Sequence, residues 1–102
     1  MMMLVISKNH VTLRLTEERW AHIREEHGEL SGLQTDILHT VANPDRILAG
    51  SSGELLATRE VEPGKWLVVV YRESISDEDG FIITAFLTRR IRFLDRRKQL
   101  WS

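Results

Sequence analysis

The chemistry this chain can offer begins with its histidines, His10, His22, His27 and His39. At 100° per residue, Trp20, Ile23, His27 and Leu30 fall on one helical face, so His27 points towards whatever that helix packs on. An imidazole titrates near neutrality, which suits it to act as a general base or acid. The same position also suits a buried imidazole satisfied by a backbone carbonyl. His22 lies off that face, within reach of Glu18 or Glu26, and is second in line. His10 and His39 carry no readable signal.

Polar residues inside apolar strand patterns are the second clue. Thr84, Phe86, Thr88 and Arg90 alternate along one apolar run, Arg59 interrupts another, and Tyr71 and Arg72 end a third. Cleaving RNA without a metal requires a base for the 2′-hydroxyl, an acid for the 5′-oxygen and a cationic clamp on the phosphate. Arginine grips phosphate through two parallel hydrogen bonds, and Tyr71 or Phe86 offers a ring on which an unpaired base can stack. Arg72, Arg89 and Arg90 complete the RNA-binding candidates. Paired with carboxylates, the same arginines would be structural only.

Strong motifs of other kinds are absent. The run Gly50-Ser51-Ser52-Gly53 lacks the lysine and the following helix of a phosphate loop. His22 and His27 are five residues apart, about 140° around a helix, and cannot grip one zinc ion together. No metal and no cofactor is expected. The chain has no cysteine, which rules out disulfides and thiolate sites. A run of apolar residues opens the sequence but is broken by Ser7-Lys8-Asn9-His10, too short for a signal or a membrane span. The cytoplasm is the expected compartment.

With 102 residues, 42% hydrophobic and 28% charged, one folded domain over 1–102 is expected. The net charge of −1 conceals a bipolar chain. Glu17, Glu18, Glu25, Glu26 and Glu29 load the first third with acid. Arg89, Arg90, Arg92, Arg96, Arg97 and Lys98 crowd the end, opposed only by Asp95. All basic residues except Lys8, Lys65 and Lys98 are arginines, the cation with a planar fork. Such an end fits RNA, an acidic protein, or a solvated basic helix.

The elements that must position these residues read as follows. Residues 4–6 and 11–15 are short extended pieces. Thr16 is an N-cap, followed by a helix over 17–27 that Gly28 ends. A second helix covers 33–41, with Leu33, Ile37 and Val41 in line, and Asn43-Pro44-Asp45 stops it. The period then changes to two, giving strands over 46–49, 54–61, 66–72 and 81–88. The run 66–72 is apolar on both faces and therefore central. A short helix over 92–101 closes the chain. The expected fold is α+β: N-terminal helices packed on a four-stranded antiparallel sheet, with a short C-terminal helix. Trp20, Ile23, Leu33, Ile37, Val41, Val68, Val70 and Ile83 are the expected core.

The phrases Leu15-Thr16-Glu17-Glu18-Arg19-Trp20-Ala21-His22-Ile23, His27-Gly28-Glu29-Leu30, Asn43-Pro44-Asp45, Lys65-Trp66-Leu67-Val68-Val69-Val70-Tyr71 and Phe81-Ile82-Ile83-Thr84-Ala85-Phe86 resemble small phage- and bacteria-associated nuclease domains. These are grouped with barnase, EndoU, colicin-type tRNA nucleases and RelE-like toxins, and the resemblance spans nearly the whole chain. It implies helices followed by a four-stranded antiparallel sheet, and a metal-independent, toxin-like endoribonuclease. It assigns catalysis to His27, His22, Arg59 and Thr84, with an antitoxin protein as partner. Relatives often carry proline where Gly28 stands, which alters the turn and leaves the histidine in place. The alternative is a non-catalytic RNA- or protein-binding module of the same fold. A homodimer through the C-terminal Leu100 and Trp101 is a further expectation, unless Trp101 docks on its own sheet.

Overall fold

The computed structural model describes residues 2–101, and in them the strands outnumber the expectation. A seven-stranded mixed sheet forms from β1 (Met3–Ile6), β2 (Thr12–Leu15), β3 (Arg46–Ala49), β4 (Leu55–Glu62), β5 (Lys65–Ser74), β6 (Asp79–Thr88) and β7 (Gln99–Trp101). Its order is β1-β2-β6-β5-β4-β3-β7. The helices are α1 (Glu17–Glu26), α2 (Gln34–Ala42) and α3 (Ile91–Asp95), with a 3₁₀ turn at Gly28–Leu30.

The four-stranded antiparallel sheet is therefore corrected in three ways. The N-terminal extended pieces form a hairpin that joins the sheet, and β2 lies parallel to β6 through Thr12–Asp79, Leu13–Gly80 and Arg14–Phe81. The expected terminal helix is cut to one turn or so, because Gln99–Trp101 pairs with β3 and extends the sheet beyond it. The strands expected over 66–72 and 81–88 are lengthened as well, since β5 and β6 run on until Ser74 faces Asp79.

Local sequence accounts for much of the rest. Thr16 caps α1 by accepting from the Arg19 amide at 3.1 Å, and Glu17 and Glu18 complement the helix dipole. Alternation in β2 sends Leu13 and Leu15 inward and Arg14 outward. The larger core lies between the sheet and the first two helices, joining Trp20, Ile23, Ile37 and Val41 to Leu67, Val69 and Tyr71. A smaller core on the opposite face packs Leu94 of α3 against Leu48, Leu56 and Val68. Of the expected core, Leu33, Val70 and Ile83 are only partly buried.

Helix α2 touches β1 near one edge of the sheet and β4 near the other, so the sheet curls around it. The curl brings Lys8, in the turn after β1, to 5.0 Å from the ring of Trp101 in β7. Gly80 sits at a tight crossing of β6 with β5 and β2, where a Cβ would collide with the Arg72 carbonyl and the Leu13 side chain. We expect Gly80→Ala to lower stability by about 1–3 kcal/mol, read from the denaturant midpoint. An unchanged midpoint would refute the tight crossing.

Candidate functional site

Strand β6 sets up the site. Opposite β5, Val70 pairs with Thr84 and Tyr71 with Ile82, which leaves Ile83 as an extra, bulged residue. The face away from α1 and α2 therefore presents Phe81 before the bulge and Thr84, Phe86 and Thr88 after it. Strand β2 covers only the first residues of β6, and α1 also packs against this strand.

His27 caps the C-terminus of α1, its amide donating to the Ile23 carbonyl at 2.8 Å. The side chain is one-third exposed, with Nδ1 3.8 Å from a Glu29 carboxylate oxygen. Its ring lies 6.4 Å from that of Phe86. Phe86 in turn meets Phe93 edge-on at 6.5 Å, and Phe93 lies 5.2 Å from the Arg97 guanidinium. A row thus runs from a titratable group through two aromatic rings to a cation. Phe93 is 40% exposed and lines a shallow cleft of about 500 Å³ with Arg89, Arg90, Ile91, Arg92 and Arg96. Among the described residues, the side chains of Arg89, Arg90, Arg92 and Arg96 make no ion pair or hydrogen bond. The sequence signal for Phe93 was its place inside the arginine run, which a reading by charge alone passed over.

The other predicted residues are dispersed. Arg59 shares the helix-side face with Ala57, donating from Nε to Thr40 at 3.2 Å and pairing with Asp36 at 3.0 Å. Thr84 faces the other way, so Arg59 cannot meet it in one cleft. His22 lies on the outer face of α1, with Nε2 2.9 Å from a Glu26 oxygen and more than half of its side chain exposed. Tyr71 is fully buried on the helix side and can stack no base. Arg72 lies towards the other end of the sheet and donates to the Ser52 carbonyl at 2.7 Å. Trp101 pairs with β3 and still leaves 39% of its surface exposed. Among the described residues no group of three or more His, Cys, Asp or Glu is arranged to hold a metal ion. None of the helices in them is long and apolar enough to cross a membrane.

Comparison of the chain with protein-family models, with curated proteins and with solved structures finds no match.

Two of the dispersed residues give stability tests. The Tyr71 hydroxyl is buried without a hydrogen-bond partner, an arrangement that costs about 1–3 kcal/mol. Burial, followed by the charge of Glu73, pushes its ionisation well above the ordinary phenol range. Above about pH 10 the unfolded chain loses this proton first, so stability falls as pH rises. Tyr71→Phe should therefore raise the denaturant midpoint at neutral pH and flatten the alkaline loss; a lowered midpoint would reveal a partner for the hydroxyl. Arg59→Ala should cost about 1–2 kcal/mol, since it strips Thr40 and Asp36 of a charged donor. A melting temperature equal to wild type would refute that structural role.

Proposed function

We propose that this chain is a metal-independent endoribonuclease that binds RNA through its arginine-rich end and cleaves by general acid–base chemistry at His27. The observation that carries the reading is the contact between His27 and Phe86, which joins a titratable group to the Phe93 and arginine surface. In this reaction His27 takes the proton from a ribose 2′-hydroxyl. The freed oxygen attacks phosphorus, the bond to the 5′-oxygen breaks, and the products are a 2′,3′-cyclic phosphate and a 5′-hydroxyl. The imidazolium returns its proton to the leaving oxygen, while Arg89 and Arg90 balance the charge that builds on phosphorus. Thr84 is on the same face as Phe86 and offers a hydroxyl donor. The resemblance to toxin-like nucleases supports the same reading and adds an antitoxin as partner.

One observation favours a second reading, a non-catalytic RNA-binding module. Arg59 is committed to Asp36 and Thr40 on the far face, and His22 is on the outer side of α1. His27 is then the one predicted acid–base group beside the arginine surface. Single-turnover cleavage of mixed cellular RNA separates the two. The enzyme reading expects cleavage that EDTA leaves unchanged and that His27→Ala slows by roughly 10²–10⁴-fold at an unaltered melting temperature. A folded His27→Ala protein that cleaves like wild type removes His27 from the reaction. Tight RNA binding without cleavage by wild type establishes the binding module.

A further inference from the structure

We propose that Phe81, flanked by Arg14 and Arg72, is a second base-stacking subsite, at the opposite end of β6 from His27. The inference rests on the reading of RNA as the ligand and adds that the bound segment is single-stranded and runs along β6.

Register alone puts these three residues side by side. Arg14 of β2 is the partner of Phe81, and Phe81 is the partner of Arg72 in β5. Leu13 and Leu15, Tyr71, and Ile82 are buried on the opposite face, so all three side chains leave the sheet on its outer side. Neighbouring strands lie about 4.8 Å apart, so two guanidinium stems flank one ring within about 10 Å.

The ring is 42% exposed at a position inside the sheet rather than at its rim. An exposed aromatic between two arginines is the combination that holds an unpaired base by its face and its phosphates by charge. A duplex hides its base faces and cannot use such a ring. Arg14 pairs with Asp79 at 3.0 Å, but both side chains are more than two-fifths exposed, and such surface pairs are weak enough for a phosphate to displace. Arg72 spends one nitrogen on the Ser52 carbonyl and keeps other donors. A neighbouring cleft of about 390 Å³, lined by Met2, Arg14, Arg19 and Phe81 among others, adds a third cation.

The bulge at Ile83 ties this subsite to the first. It shifts the alternation by one, so that Phe81 emerges on the same face as Thr84 and Phe86. Between Phe81 and Phe86 the strand advances about 15 Å, the length of a few nucleotides of extended single strand.

The test is fluorescence anisotropy with a labelled ten-nucleotide 2′-O-methyl RNA, whose blocked 2′-oxygen prevents cleavage, and with its duplex. We expect wild type to prefer the single strand. Phe81→Ala should weaken that binding on the order of tenfold, Phe81→Trp should restore it, and melting temperatures should stay near wild type. Arg14→Gln should weaken binding and lessen its salt dependence. Phe81→Ala binding like wild type removes the subsite and leaves the RNA reading standing. A wild type that neither binds nor cleaves RNA removes both. A dimer in sedimentation that Phe81→Ala dissociates would assign the ring to self-association and overturn the proposal.

Discussion

One extra residue in β6 governs what the outer face of this sheet can do. Without a bulge at Ile83, strict alternation would put Phe81 on the face with Ala85 and Leu87, under the helices. With it, Ile82 stays buried on the helix side, and Phe81, Thr84 and Phe86 share the outer side. A bulge also strengthens local twist, which suits a sheet that must turn away from β2 and admit α1 along β6. The same residue sets which aromatic rings of β6 share the face that His27 reaches at Phe86.

The curl around α2 divides the two faces by chemistry. The concave side is a conventional core, in which a buried Leu, Val or Ile contributes about 1.5–3 kcal/mol. Its polar members are matched locally: Thr40 donates to the Asp36 carbonyl, and Arg59 reaches both residues of that turn. Tyr71 is the exception, with a phenol oxygen left alone. The convex side is only partly covered, by α3, whose Leu94 and Ile91 pack in one cluster with Trp66, Val70 and Phe86 of the sheet. On the RNA reading, ligand chemistry falls to that side, where the side chains of Arg89, Arg90, Arg92 and Arg96 make no ion pair or hydrogen bond among the described residues.

Sequence alone read the local features well and the long-range ones poorly. The cap at Thr16, the stop at Asn43-Pro44 and strand β3 follow from neighbouring residues, and these match closely. The side of Arg59 is also readable, since it falls in phase with Leu55, Ala57 and Val61, and that phase separates it from the outer face on which Thr84 lies. Tyr71 offered no such signal, because β5 is apolar on both faces and alternation cannot say which one meets the helices. The parallel docking of β2 depends on Gly80 meeting Leu13 across 67 positions of sequence. The β7 pairing depends on a free edge of β3 and overrides the helical pattern expected of an arginine-rich end. The bulge left no trace, since Ile82 and Ile83 are the same residue facing different environments.

Net charge is a poor guide to what such a surface attracts, because an electrostatic contact is settled within a Debye length of about 8–10 Å. Over that distance, a polyanion near Phe93 meets Arg89, Arg90, Arg92 and Arg96, whatever the total for the chain. Helix α1 imposes the opposite condition along the neighbouring border. It carries Glu17, Glu18, Glu25 and Glu26 against Arg19 and Arg24, so it is net acidic, and it packs against β6. On the RNA reading, a strand that strays across the helix beyond Arg19 meets a surplus of carboxylates, whereas one that follows β6 stays between cations at both ends. On that reading the helix that delivers His27 also fences the path, and a bound strand would follow the direction of β6.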